Sequence, residues 1–415
     1  MTSFFIQSFG CRVNQAEAFA WADALEARGL RLAGDWSDGD LIVINSCTLT
    51  GRADRDVRKF VQRMARERPG VRLVVTGCLA ERAPAEFAGR PEVSLVVPNA
   101  EKAGLPERVL DLVGAGPAGA VDPTPFRSRA LVKVQDGCDR RCTFCIIPSV
   151  RGRSASAAAA EVVRTVGELS ERGYYEVVLA GIHLSSYGRD LEPPSSLARL
   201  LAELERIEKL GRLRLSSLDP RDLDNDALEA ITSSPKVCPH FHLSLQHASE
   251  RVLEKMGRPA SEAGYRRLLE TLRAASPEAA VGADLIVGFP GESDEDFARL
   301  LRFVEETPLT YAHVFVYSPR PGTLAAGRPQ VRDDVKKRRS DTLRKAVAEK
   351  NLRFRSRFVG RELEAVVIRG RGGRTEGLSG NYLRVSIAGS SAAPREAVRV
   401  RVTGLAARGV EGRHA

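Results

Sequence analysis

No apolar run in the 415 residues approaches the roughly 20 that a membrane span needs. The opening residues, Met1 to Gln7, lack the basic region and long apolar core of a secretory signal. A P-loop, a dinucleotide fingerprint and a nucleophile elbow are also missing. So is any low-complexity tract. These absences point away from membrane spans, export, and the commonest nucleotide and hydrolase sites, and predict a cytoplasmic location. Cysteine is sparse and odd in number, at seven. In a reducing compartment an odd set excludes a disulfide framework.

What is present is ordinary in bulk and uneven in detail. The chain is 43% hydrophobic and 28% charged, long enough for two or three domains. Its formal net charge is +10. The stretch from Lys336 to Arg374 alone holds 14 Lys/Arg against 4 Asp/Glu. A solvated helix face and a nucleic-acid contact are the two readings of that stretch. Arg151 and Arg153 form a second candidate contact for phosphates.

The fold class reads as α/β with a small all-β end. Short apolar segments at 4–9, 41–45, 73–76 and 95–97 alternate with helical patterns at 14–28 and 52–67. That is the pattern of a parallel sheet covered on both faces. Residues 114–126 are rich in Gly and Pro and read as a linker. Six further strand signals follow, at 131–134, 177–180, 213–216, 241–245, 284–287 and 314–317, with helices between. Six β-α units predict a partial barrel, since a full one needs eight. Alternating segments at 363–368, 382–387 and 398–402 predict a small β-barrel or sheet. The expected domains are 1–113, 127–354 and 355–415.

Six cysteines form two groups. Cys138, Cys142 and Cys145 follow the first strand of the middle part, where β/α barrels place active sites. Three thiolates so close can hold three corners of a [4Fe–4S] cluster and leave one iron open to a ligand. Zinc is the competing metal, but its structural sites take four protein ligands and no second knuckle is present. Cys11, Cys47 and Cys78 each follow a strand of the amino-terminal part, where open α/β sheets gather ligands. They are expected to converge as a second cluster site. Cys238 stands alone and reads as a buried thiol.

The CxxxCxxC spacing with Phe144 before the last cysteine resembles the radical S-adenosylmethionine superfamily. The segments Gly10–Gln15, Asn45–Thr48, Thr76–Cys78, Val134–Cys138 and Gly288–Glu292 extend the resemblance to the methylthiotransferase family. That resemblance implies an amino-terminal cluster domain, a radical domain and a carboxyl-terminal TRAM domain. It implies two [4Fe–4S] clusters, on Cys11, Cys47 and Cys78 and on Cys138, Cys142 and Cys145, with the second triad catalytic. S-adenosylmethionine is the implied cofactor, with Phe144 near its adenine or packed in the core; Gly181, Ser217, Gln246 and Asp284 stand at strand ends, where contact with the cofactor and a structural role are the two readings. A flavodoxin- or ferredoxin-type electron donor and a sulfur donor are implied partners. No histidine receives a role.

The motifs around the first two cysteines look most like the branch that methylthiolates C2 of N6-threonylcarbamoyladenosine at position 37 of tRNA. Three alternatives stay open from the sequence. The target could be isopentenyladenosine of tRNA or a ribosomal-protein aspartate. The second cluster could only relay electrons. The chain could be a non-catalytic Fe–S protein that binds RNA.

Overall fold

The computed structural model describes residues 2–114, 126–371 and 374–415. The predicted linker falls at 114–126, so all but its two ends lies outside the described residues.

The amino-terminal part is a five-stranded parallel sheet. Its strands are β1 (Ser3–Ser8), β2 (Arg31–Leu32), β3 (Leu41–Ser46), β4 (Arg72–Gly77) and β5 (Val93–Val97), in spatial order β2-β1-β3-β4-β5. β3 is central and buried along its whole length. Its side chains alternate between faces. Leu41 and Val43 join the core under the helix Arg12–Glu26, while Ile42 and Ile44 join the core under the helix Gly51–Glu67. Register keeps the strand ends level, with Ser8 opposite Asn45 and Asn45 opposite Thr76. Cys11, Cys47 and Cys78 therefore leave one edge of the sheet together.

The middle part forms an open arc. Its strands are β6 (Ala130–Asp136), β7 (Ala155–Ser156), β8 (Glu176–Gly181), β9 (Arg212–Leu215), β10 (His240–Gln246), β11 (Ala280–Val287) and β12 (Tyr311–Val316). Six are parallel, and the two-residue β7 pairs antiparallel on the outer edge of β6. Bridges Leu213–Val237 and Leu218–Leu243 join the two halves of the arc. This is the partial barrel expected from six β-α units.

The carboxyl-terminal part is a closed five-stranded barrel of β13 (Glu362–Arg371), β14 (Arg374–Ser379), β15 (Arg384–Ala388), β16 (Ala397–Ala406) and β17 (Gly409–His414). Sequence reading finds three of these and misses β14 and β17. Arg-Thr-Glu-Gly-Leu-Ser and Gly-Val-Glu-Gly-Arg-His carry too few apolar residues to show a strand period. Closure of the barrel supplies their pairing instead. β15 also starts at Arg384 rather than Tyr382, because Tyr382 takes a turn at φ +66° and stacks its ring 4.1 Å from that of His240.

Glu176 at the start of β8 joins the arc to this barrel. Its carboxylate is fully buried and receives Arg129 at 3.0 Å, Arg212 at 2.7 Å and Arg214 at 2.8 Å. The same arginines reach on to the barrel: Arg212 Nη2 donates to the Leu378 carbonyl at 2.6 Å and Arg214 Nη2 to the Ser379 carbonyl at 3.0 Å.

The basic stretch is largely committed to such internal contacts. It forms most of the helix Asp333–Ser356 and the approach to β13. Arg339 pairs with Glu292 at 2.8 Å, and Arg344 donates to the Val314 carbonyl at 2.8 Å. Lys350 donates to the Thr307 carbonyl and Arg355 to the Ala406 carbonyl, each at 2.7 Å. The net charge of the stretch thus overstates its free cationic surface. The side chains of Arg371 and Arg374 lie outside the described residues.

Candidate active site

Each triad is shaped by local backbone chemistry. At the first, Gly10 has φ +89°, and a Cβ there would lie 2.4 Å from Cys47 Sγ, so only glycine leaves room for the two loops to meet. Asn14 Nδ2 donates to the Phe9 carbonyl at 2.8 Å and the Ser46 carbonyl at 3.0 Å, tying the Cys11 turn to the Cys47 turn. Ser46 Oγ accepts from the Leu79 and Ala80 amides at 3.1 Å each and so fixes the short helix that starts at Cys78. Burial pushes the Cys47 thiol up to about 12, and the Cys11 thiol also rises, burial being the first cause and Cys78 adding to it.

The second triad lies on the loop after β6. Gly137 has φ +65°, and a Cβ there would sit 1.8 Å from the Arg153 carbonyl oxygen, so the returning chain passes only over glycine. Thr143 anchors the loop through its amide to the Met256 carbonyl and its hydroxyl to the Lys255 carbonyl, each at 2.9 Å. Two of the sulfurs face cation donors. His183 Nδ1 is 3.7 Å from Cys138 Sγ, while its Nε2 is 2.9 Å from Asp222. Burial alone would depress His183, but Asp222 and Cys138 together raise it to about 9. Arg258 Nη1 donates to Cys142 Sγ at 3.6 Å and its Nη2 to Asp219 at 2.9 Å. Burial pushes the Cys145 thiol up to about 12.

Both donor sets fit an iron–sulfur group. The Cys11, Cys47 and Cys145 thiols, raised by burial, resist ionisation unless a cation binds, and metal coordination deprotonates a thiol outright. Cation donors stand ready beside Cys138, Cys142 and Cys78 to offset the anionic charge of a bound cluster.

A cleft of about 190 Å³ opens beside Cys145. Leu49 and Thr50, just after Cys47, form one wall, and Phe144, Cys145 and Ile146 form another. Gln246, Asp284 and Phe315 close it from the ends of β10, β11 and β12. Gln246 sits at φ +69° beside a register shift in β10, a conformation that costs a non-glycine residue on the order of 1 kcal/mol or more. Asp284 is held by His242 at 2.9 Å and His313 at 3.2 Å. Burial would raise its pKa, but the two imidazoles hold it well below the usual carboxylate range.

Of the five expected cofactor contacts, the structure brings Phe144, Gln246 and Asp284 into this cleft with Cys145. Gly181 and Ser217 do not line it. Gly181 donates its amide to Ser216 Oγ at 3.1 Å, and a Cβ there would meet Leu184 Cα at 3.0 Å, so tight packing accounts for the glycine. Cys238 is 2% exposed in the core, as expected for a lone thiol. Arg151, a candidate phosphate contact, is buried instead; Arg153 is 94% exposed in its side chain. Sequence reading missed His183 and Arg258. The only signal for His183 was its place two residues after Gly181.

An open parallel arc with a three-cysteine loop after its first strand is the framework of radical S-adenosylmethionine enzymes, and the Radical SAM superfamily model matches residues 132–304. Residues 3–98 match the model called Uncharacterized protein family UPF0004. The threonylcarbamoyladenosine tRNA methylthiotransferase MtaB of Thermotoga maritima is 34% identical over 86% of this chain and 84% of its own length. The protein of that name from Chlamydia pneumoniae is 38% identical over 78% of this chain and 76% of its own. The tRNA-2-methylthio-N(6)-dimethylallyladenosine synthase of Pelotomaculum thermopropionicum is 36% identical over 88% and 87%. The chain belongs to the methylthiotransferase family of radical S-adenosylmethionine enzymes. Among solved structures, the radical S-adenosylmethionine methyltransferase TsrM of Kitasatospora setae has the same fold over 79% of this chain and 77% of its own, with TM-score 0.57 at 15% identity.

Proposed function

We propose that this protein adds a methylthio group to C2 of N6-threonylcarbamoyladenosine at position 37 of tRNA. The observation that carries the reading is the single cleft walled by residues next to both cysteine triads. The motif wording around Cys11 and Cys47 and the relatives named for threonylcarbamoyladenosine support this target over isopentenyladenosine. The setting is the cytoplasm, and among the described residues no helix is long and apolar enough to cross a membrane.

In this reading Cys138, Cys142 and Cys145 hold one [4Fe–4S] cluster, and Cys11, Cys47 and Cys78 hold another. The clusters and S-adenosylmethionine supply the radical and sulfur chemistry when bound. The chain's own part is placement. Phe144, Gln246 and Asp284 offer an aromatic face, an amide and a fixed carboxylate to the cofactor side of the cleft. Leu49, Ile146 and Phe315 offer it an apolar lining, which favours excluding water from a reactive intermediate. Residues 1–113, 127–354 and 355–415 divide the work among the second cluster, the radical chemistry and RNA contact. A flavodoxin- or ferredoxin-type reductant and a sulfur donor would complete the cycle. Nucleoside mass spectrometry of tRNA from cells with and without the gene tests the target. Loss of 2-methylthio-N6-threonylcarbamoyladenosine alone is expected, whereas loss of the methylthiolated isopentenyl nucleoside would overturn the assignment.

RNA affinity is expected to come from cations that the fold leaves free. Arg384 and Arg408 line a cavity between the barrel and β12, beside His313 and Tyr382. The Arg384→Ala, Arg408→Ala double variant should weaken tRNA binding regardless of the state of position 37, since phosphate contacts position without specifying. A salt titration should show the slope of log affinity against log salt flatten by about one unit per lost contact. An unchanged slope would place the RNA elsewhere, with the exposed Arg153 the next candidate.

A further inference from the structure

Arg151 ends the five-residue helix Ile147–Arg151 that follows Cys145 almost directly. Its side chain crosses to the amino-terminal sheet and is 1% exposed. Nε donates to Cys78 Sγ at 3.3 Å. Nη1 donates to Glu17 at 3.1 Å and Asp136 at 2.7 Å, and Nη2 to Asn14 Oδ1. That same Asn14 oxygen accepts the Cys11 thiol at 3.6 Å. Ile146 and Val150 pack against Cys78 from the same segment. One guanidinium from the loop of one triad is therefore fixed directly against Cys78 and, through Asn14, tied to Cys11.

The surrounding charge does not cancel. Glu17 also holds Lys102 at 2.7 Å and Lys133 at 3.4 Å, and Lys133 reaches Asp136 at 2.9 Å. The buried Arg151 and Lys102 and the exposed Lys133 face only two carboxylates, the buried Glu17 and the half-buried Asp136, so three cations meet two anions on this side of Cys78. Structural pairing alone accounts for the Nη contacts. It does not account for a donor placed on sulfur.

We propose that Arg151 is a positioning residue that links the two triads and sets the reduction potential of the cluster on Cys11, Cys47 and Cys78. The proposal rests on the reading above that this triad holds a cluster. A hydrogen bond to a ligating sulfur, and a positive charge at low dielectric, stabilise the more negative, reduced cluster and raise its potential. Because Arg151 belongs to the segment after Cys145, the position of the radical loop is also felt at Cys78.

The test is a potentiometric titration of full-length, anaerobically reconstituted protein, followed by electron paramagnetic resonance of each cluster. In Arg151→Met the reduced-to-oxidised ratio of the Cys11, Cys47, Cys78 cluster at fixed potential should fall about tenfold, 59 mV for a one-electron couple. The other cluster should keep its potential. Arg151→Lys, which retains the charge without the fork, should recover part of the loss. Asp136→Asn removes a carboxylate from Arg151 and should move the potential of the first cluster the opposite way. Unchanged potentials in Arg151→Met and Asp136→Asn would overturn the proposal. Should Arg151→Met not retain the cluster, Asp136→Asn decides alone, and no shift there overturns it. Wild-type protein with iron for one cluster only would overturn the two-cluster reading, and this proposal with it.

Discussion

Cys47→Ala protein is expected to cleave S-adenosylmethionine to 5′-deoxyadenosine while leaving tRNA without a methylthio group; Cys145→Ala is expected to do neither. The asymmetry follows from the two sites. Cys145 lines the cleft with Phe144, Gln246 and Asp284, whereas Cys47 lies across it on the amino-terminal sheet. Its removal leaves the radical loop's anchors in place, because Thr143 is tied to Met256 and Lys255 and the Arg151 segment meets the first triad at Cys78 rather than at Cys47. Iron content provides the second readout: about eight per wild-type chain from two four-iron clusters, and about four in each variant. Full methylthiolation by Cys47→Ala would exclude the assigned role of that triad. Zinc without iron in anaerobically prepared wild type would exclude both clusters.

The largest loss of stability is expected from Glu176→Ala. Burial would raise the pKa of this carboxyl, yet Arg214 and Arg212, with Arg129, hold it far below the usual glutamate range. It is therefore ionised at neutral pH, and deletion strands three arginines around a fully buried site. Breaking a buried ion pair from one side costs about 3–5 kcal/mol. Arg212 and Arg214 also brace the barrel carbonyls, so residues 362–414 should become sensitive to limited proteolysis first. Glu364→Ala is the control: Glu364 is 3.6 Å from Arg212 but 47% exposed, and pairs of that kind contribute about 1 kcal/mol or less. The sign with pH is fixed as well. The folded pKa is depressed, so the contribution is fully present above the usual glutamate range and is lost as pH falls below that range and through the depressed folded pKa. Equal midpoints for the two variants in denaturant unfolding would exclude the bracing role.

The split between what sequence shows and what it hides can be read from particular residues. β3 is legible because a strand buried on both faces needs an unbroken apolar run, and Leu41 to Ile44 provides one. β14 and β17 are illegible because barrel closure holds them, and closure is not a local property. The basic stretch shows the same limit for charge. Composition counts cations, but only the packed helix reveals that Arg339 is spent on Glu292 and Arg355 on a barrel carbonyl.

The sequence by itself determined the succession of the main strands and helices apart from β14 and β17, the partition of six cysteines into two triads, and their placement after strand ends. These follow from short-range periodicity and from the close spacing that chelation demands. Tertiary structure alone decided what surrounds the sulfurs. His183 reaches Cys138 across 45 residues, Arg258 reaches Cys142 across 116, and Arg151 reaches Cys78 across 73. A long side chain leaves no periodic trace of where its charged end lies, and residues beside both triads share one cleft only because the helix Arg12–Glu26 packs against β6 and β8.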